Sequence, residues 1–113
     1  MKRDPLLLID DILESTALIQ QYAGSATKKS FLKDRQMQDA IIRRLEIIGE
    51  AVKNIPASLK KKYSALPWKQ IAGMRDVICH EYFGVRMDRV WKVVREDIPM
   101  LDKTMREIRE AIQ

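Results

Sequence analysis

One cysteine, Cys79, is all that 113 residues provide. A single thiol excludes an internal disulfide framework and a cysteine-rich zinc site. No apolar run approaches the length of a membrane span. The opening segment MKRDPLLLIDDILEST has a basic tip and an apolar run, but Asp10 and Asp11 interrupt that run too early for the apolar core of a signal peptide. With so few thiols the expectation is a cytoplasmic, reducing setting and no contact with a membrane. There is no glycine-rich phosphate loop, no internal repeat and no domain linker. No cluster of acidic residues resembles a two-metal nuclease centre. No metal site and no cofactor are expected.

What is present is an apolar fraction of 46% beside a charged fraction of 33%. That balance excludes general disorder and suffices for one modest core, so residues 1–113 are expected to form one domain. The formal net charge is +5, with cations and carboxylates interleaved and no basic tail. It favours polyanionic partners only weakly.

The apolar pattern is helical nearly throughout. Asp4 before Pro5 is a start signal, because the carboxylate can cap free amides and proline fits the first helical position. Ile9, Ile12, Thr16 and Ile19 follow at three- and four-residue steps, and this helix is expected to end between Tyr22 and Gly24. AGSATKKS reads as a polar connector. Ile41, Leu45, Ile48, Val52 and Ile55 then keep a four-three-four-three rhythm, with Arg43, Glu46, Glu50 and Lys53 over much of the other surface. That helix stops at Pro56. PASLKKKYSAL reads as a solvated turn of helix, or as lysines that touch a phosphate backbone. Pro67 opens a third long helix, PWKQIAGMRDVICHEY. Asp88 is expected to cap a fourth, carrying Val90, Val94, Ile98, Leu101, Met105, Ile108 and Ile112, with a bend at Pro99. The expected fold is all-α: an antiparallel up-and-down bundle of four long helices plus a short one. Trp68 and Trp91 are expected to be packing residues.

His80 is the only imidazole, and it stands between Arg75 and Tyr82. At 3.6 residues per turn, Arg75 and Tyr82 lie nearly on one line while His80 is rotated roughly 140° from Arg75. Either a break near His80 or a two-fold dimer would bring the groups together. Asp76, four residues before His80, is placed to hold one imidazole nitrogen, or to pair with Lys69 or Arg75. An imidazole with an ordinary pKa of ~6.5 can move protons at neutral pH, and a guanidinium fork matches phosphate oxygens. These residue types suit RNA cleavage without metal; they equally suit structural roles on a solvated helix.

The stretch MRDVICHEY matches the Arg-x4-His-x-Tyr signature of the HepT-like proteins of the HEPN superfamily. DAIIRRLEIIGEAVKNIP and PWKQIAGMRDVICHEYFGV resemble the same family, and the resemblance extends over essentially the whole chain. It implies an all-helical homodimer with two signatures facing an interface cleft. It implies a metal-independent endoribonuclease toxin, paired with a nucleotidyltransferase antitoxin of the MntA type that silences it by adding AMP. On this resemblance Arg75 and His80 are catalytic, Asp76 and Tyr82 support them, and Tyr82 accepts the AMP. Related HEPN proteins often carry asparagine where this chain has Asp76, a charge expected to tune His80 or to lower RNA affinity. Arg43 and Glu50, seven apart, share a helix face and are expected either to border the cleft or to take part in surface ion pairs; Gly49 is expected to permit close helix packing. The alternative reading is a non-catalytic subunit that holds a nucleotide or a partner enzyme in the same cleft.

Overall fold

A computed structural model describes residues 4–73 and 86–113. The described residues are helical with no strand.

Helix α1 is Pro5–Ala23. The Asp4 carboxylate accepts from the Leu6 amide at 2.8 Å, so the expected cap is formed. Leu8, Ile9, Ile12, Ile19 and Ala23 are buried along one face. The helix ends where Gly24 takes a φ of +46°, a left-handed value that favours glycine, and its amide reaches back to the Gln20 carbonyl at 2.9 Å.

The segment expected to be a polar connector is half helix. Thr27 caps α2, Lys28–Leu32, through a reciprocal pair. The Ser30 amide donates to the Thr27 hydroxyl at 3.1 Å, and the Thr27 amide donates to the Ser30 hydroxyl at 2.9 Å. Serine in the position usually held by glutamate or glutamine hides this box from a sequence scan. Phe31 is the one buried residue of α2.

Helix α3, Arg35–Lys53, begins on Asp34, whose carboxylate accepts from the Met37 amide at 3.0 Å. Ile41, Leu45, Ile48 and Val52 are fully buried; Ile55 is also buried, although the helix proper has already ended. Gly49 is buried too. Helix α4, Ala57–Lys62, buries none of its residues, in keeping with a solvated turn. After Pro67 the chain is helical again over 68–73 (α5). Helix α6, Met87–Lys92, runs through a π turn, Val93–Asp97, into α7, Ile98–Ile112.

One expectation is corrected at this end of the chain. Asp88 does not cap: the capping position is Arg86, and Asp88 stands in the first turn, paired with the Arg86 guanidinium at 3.4 Å. Pro99 does mark an irregularity, but it takes the form of the π turn just before it. Proline has no amide for the carbonyl four residues back, which belongs to Arg95 inside that turn, and a wider winding accommodates the loss.

Helix α1 packs against α3 and α7. Thr16, buried in the apolar stripe of α1, donates its hydroxyl to Asp102 on α7 at 2.7 Å; Asp102 also meets Arg106 at 2.8 Å, and Arg109 reaches back to Asp10 at 2.7 Å. Both tryptophans are buried. Trp68 donates its indole proton to the Tyr63 carbonyl at 2.9 Å, and Trp91 stacks on Phe31 with ring centres 5.0 Å apart. Arg95 lies over the outer face of Trp91 and donates to the Ala26 carbonyl, fastening the α1–α2 turn to the π turn.

Ser15 breaks this pattern. Its hydroxyl is buried in α1 with no hydrogen-bond partner among the described residues. A buried unmade bond costs about 1–3 kcal/mol, and serine is also a poorer helix former than alanine. Ser15→Ala is therefore expected to hold or raise the thermal midpoint, read by circular dichroism. A fall of several degrees would show that the hydroxyl has a stabilising role.

Candidate functional site

The signature residues Arg75, Asp76, His80 and Tyr82 lie outside the described residues, as does Cys79. Helix α5 leads toward them in the chain, and α6 follows them.

Arg43 and Glu50 are described, and both border one groove. Seven residues apart on α3, they stand two turns along the same face. Leu8 and Asp11 of α1 supply the opposite wall, with Glu46 and Ala51 between, and the groove encloses about 420 Å³. Its inner wall is apolar, through the buried Leu8 and Ala51. Its rim is charged. Arg43 meets Glu46 at 3.6 Å, and the Asn54 amide donates to the Glu50 carbonyl at 2.9 Å. Asp11, Glu46 and Glu50 all line the groove that Arg43 borders, and of these Glu46 pairs with its guanidinium. Asp11 is the member that the sequence pattern does not reveal. Its three-residue spacing from Leu8 puts it near the buried face of α1, but only the pairing of α1 with α3 brings it into the groove that Arg43 borders.

A second groove, about 480 Å³, opens between α5 and the π turn. Ile71, Val93, Ile98 and Leu101 make it largely apolar, while Arg89 and Asp97 give it charge. Burial, reinforced by the negative charge of Glu96 and opposed by Lys92, raises the Asp97 carboxyl above the ordinary carboxylate pKa. No group of three histidine, cysteine, aspartate or glutamate side chains among the described residues converges as metal ligands would. No helix among the described residues is long and apolar enough to cross a membrane.

Comparison with known proteins extends over nearly the whole chain. Residues 12–108 match the model of the HepT-like family, described as ribonuclease HepT-like. A Thermococcus cleftensis protein named "Probable ribonuclease HepT" is 43% identical over 110 residues, covering 97% of this chain and 100% of that relative. A "Putative RNase" of Caldanaerobacter subterraneus subsp. tengcongensis is 41% identical over 106 residues, covering 94% of this chain and 95% of that relative. A Methanocaldococcus jannaschii protein named "Gamma-glutamylcyclotransferase and putative RNase" is 43% identical over 112 residues; the match takes in 99% of this chain but spans only 50% of that relative. No solved structure matches the chain.

Proposed function

The chain belongs to the ribonuclease HepT-like family, and from that premise we propose that it is a metal-independent endoribonuclease acting as the toxin of a toxin–antitoxin pair. The observation that carries the proposal is an end-to-end match to a relative named as a ribonuclease, by a chain whose sequence holds Arg75, His80 and Tyr82 in the family's signature spacing.

In this reading His80 acts as the proton carrier. It removes the proton from an RNA 2′-hydroxyl or delivers one to the departing 5′-oxygen. The 2′-oxygen forms a bond to phosphorus, the bond to the 5′-oxygen breaks, and the products are a 2′,3′-cyclic phosphate and a 5′-hydroxyl. Arg75 binds the non-bridging oxygens, where charge builds in the transition state. A homodimer sets two signatures across one cleft, with Arg43 and Glu50 at its border and Asp76 tuning His80. The setting is cytoplasmic. The test is cleavage of RNA by pure protein in excess EDTA, with the new ends mapped. Cyclic phosphate ends are expected; a strict magnesium requirement would overturn the mechanism.

Silencing falls to Tyr82. A nucleotidyltransferase of the MntA type transfers AMP from ATP to the phenol oxygen and releases pyrophosphate. The added phosphate would stand two residues from His80 in the chain, where it competes with RNA for Arg75 and repels the RNA backbone. Incubation with such a transferase, ATP and magnesium is expected to add one AMP to the intact mass, at Tyr82, and to suppress cleavage. The magnesium here belongs to the transferase. Full silencing of Tyr82→Phe with AMP found elsewhere would overturn this switch while leaving the cleavage reading intact.

A further inference from the structure

We infer that the α3–α5 connection, through Lys53, Lys61, Lys62 and Lys69, is the surface on which the RNA backbone lies. This rests on the ribonuclease reading and goes beyond it, since it places substrate binding on residues outside the signature.

Charge distribution is the first support. From Ala51 to Gly73 the chain holds five lysines and no carboxylate. The whole formal excess of +5 therefore sits in this one stretch. The other sixteen cations are balanced by sixteen carboxylates elsewhere. The nearest acidic residues in the chain are Glu50 on one side and Asp76 on the other, and the stretch runs directly into Arg75.

The second support is pairing. Arg35, Arg43, Arg86, Arg106 and Arg109 each meet a carboxylate within 4 Å. Lys53, Lys61, Lys62 and Lys69 are exposed, and none of the four meets a carboxylate among the described residues. Lys60 is engaged locally, its ammonium reaching the Lys53 carbonyl at the end of α3, at 3.5 Å. Helix electrostatics account for only part of the set. A lysine in the last turn of α4 complements that end of a helix, but Lys69 is the second residue of the helical run 68–73, where a cation is disfavoured. Exposed ammonium groups on flexible stems, spread along one connection whose own sequence holds no carboxylate, suit successive phosphates of a single strand; Lys62 also lies over the Tyr63 ring, 6.0 Å from its centre.

The experiment compares two variants with equal loss of charge. One is Lys61→Gln, Lys62→Gln and Lys69→Gln together; the other is Lys28→Gln, Lys29→Gln and Lys33→Gln, which are equally exposed on and beside α2. The binding probe is a labelled single-stranded oligonucleotide with 2′-O-methyl riboses, which offers no hydroxyl for attack. Each lost phosphate contact should flatten the dependence of log affinity on log salt by about 0.7. The first variant is expected to lose about two units of slope and ~10–100-fold in low-salt affinity. On cleavable RNA it should raise KM and leave kcat close to wild type. The second variant should bind nearly as wild type does. Equal effects from the two variants, or none from the first, would overturn the footprint even if wild type cleaves RNA. Loss of antitoxin binding by the first variant with RNA binding intact would overturn it as well, assigning the surface to a protein partner. A wild type that neither binds the probe nor cleaves RNA would overturn the ribonuclease reading and the footprint with it.

Discussion

His80→Ala is expected to lower RNA cleavage by roughly 10²–10⁴-fold while leaving the helical circular dichroism spectrum unchanged, the range by which positioned proton transfer accelerates such reactions. The size of the effect follows from composition. His80 is the only histidine, so no second imidazole in the same chain can take over near neutral pH. In a two-fold dimer the variant loses both copies, and neither cleft retains a wild-type side chain. Some activity should survive if Arg75 binds the phosphate as proposed, since that role favours the charged transition state without the imidazole. The residual rate should also lose any pH inflection that His80 imposes in the wild type. The measurement is single-turnover cleavage in excess EDTA over a pH series, using protein whose unfolding midpoint matches wild type. Wild-type rates from His80→Ala would remove the imidazole from the mechanism.

How far such a site is legible in sequence differs from residue to residue. Periodicity alone places Arg75 and Tyr82 on one line and His80 away from it. Only the family signature turns three residue types into an ordered set. Arg43 and Glu50 are legible as neighbours because a seven-residue spacing on a strongly periodic helix returns to the same face. Asp11 is not, because its place in the groove depends on how α1 lies against α3, which no local pattern encodes. Fold elements divide similarly. The beginning of α1 follows from Asp4 and Pro5, and the buried stripe of α3 from its spacing. The π turn is legible only as a bend, since proline announces a missing amide but not how the preceding turn adjusts. Helix α2 reads as loop because five residues are too few to carry a periodic signal, and its cap uses Ser30 rather than a longer acceptor. The buried partners of Phe31 make that segment a helix, and those partners come from elsewhere in the chain.

Phe31 therefore carries the other large effect expected here. A helix of five residues has no stability of its own in water, since nucleation costs more than so few hydrogen bonds return. Helix α2 persists because Phe31 is fully buried, with its ring stacked on Trp91 at 5.0 Å and 30° between planes. Its carbonyl also accepts from the Gln38 side chain on α3 at 2.9 Å, a buried bond. One residue thus joins α2 to α3 and α6, and Arg95 also lies over the Trp91 ring, 4.9 Å from its centre. Phe31→Ala removes the ring and opens a cavity beside an indole. Such changes cost about 3–5 kcal/mol. For a chain of this size that corresponds to a fall of the thermal midpoint on the order of 10–25 °C. Phe31→Leu, which refills much of the volume without the stacking, should recover more than half of the loss. Gln38→Ala should cost less than Phe31→Ala, because it removes one hydrogen bond and leaves the ring in place. Thermal and urea unfolding followed by circular dichroism measure all three. A Phe31→Ala midpoint within a few degrees of wild type would mean that α2 detaches at little cost, and that the α1–α3 connection contributes nothing to holding Trp91 and the helical run after it in register.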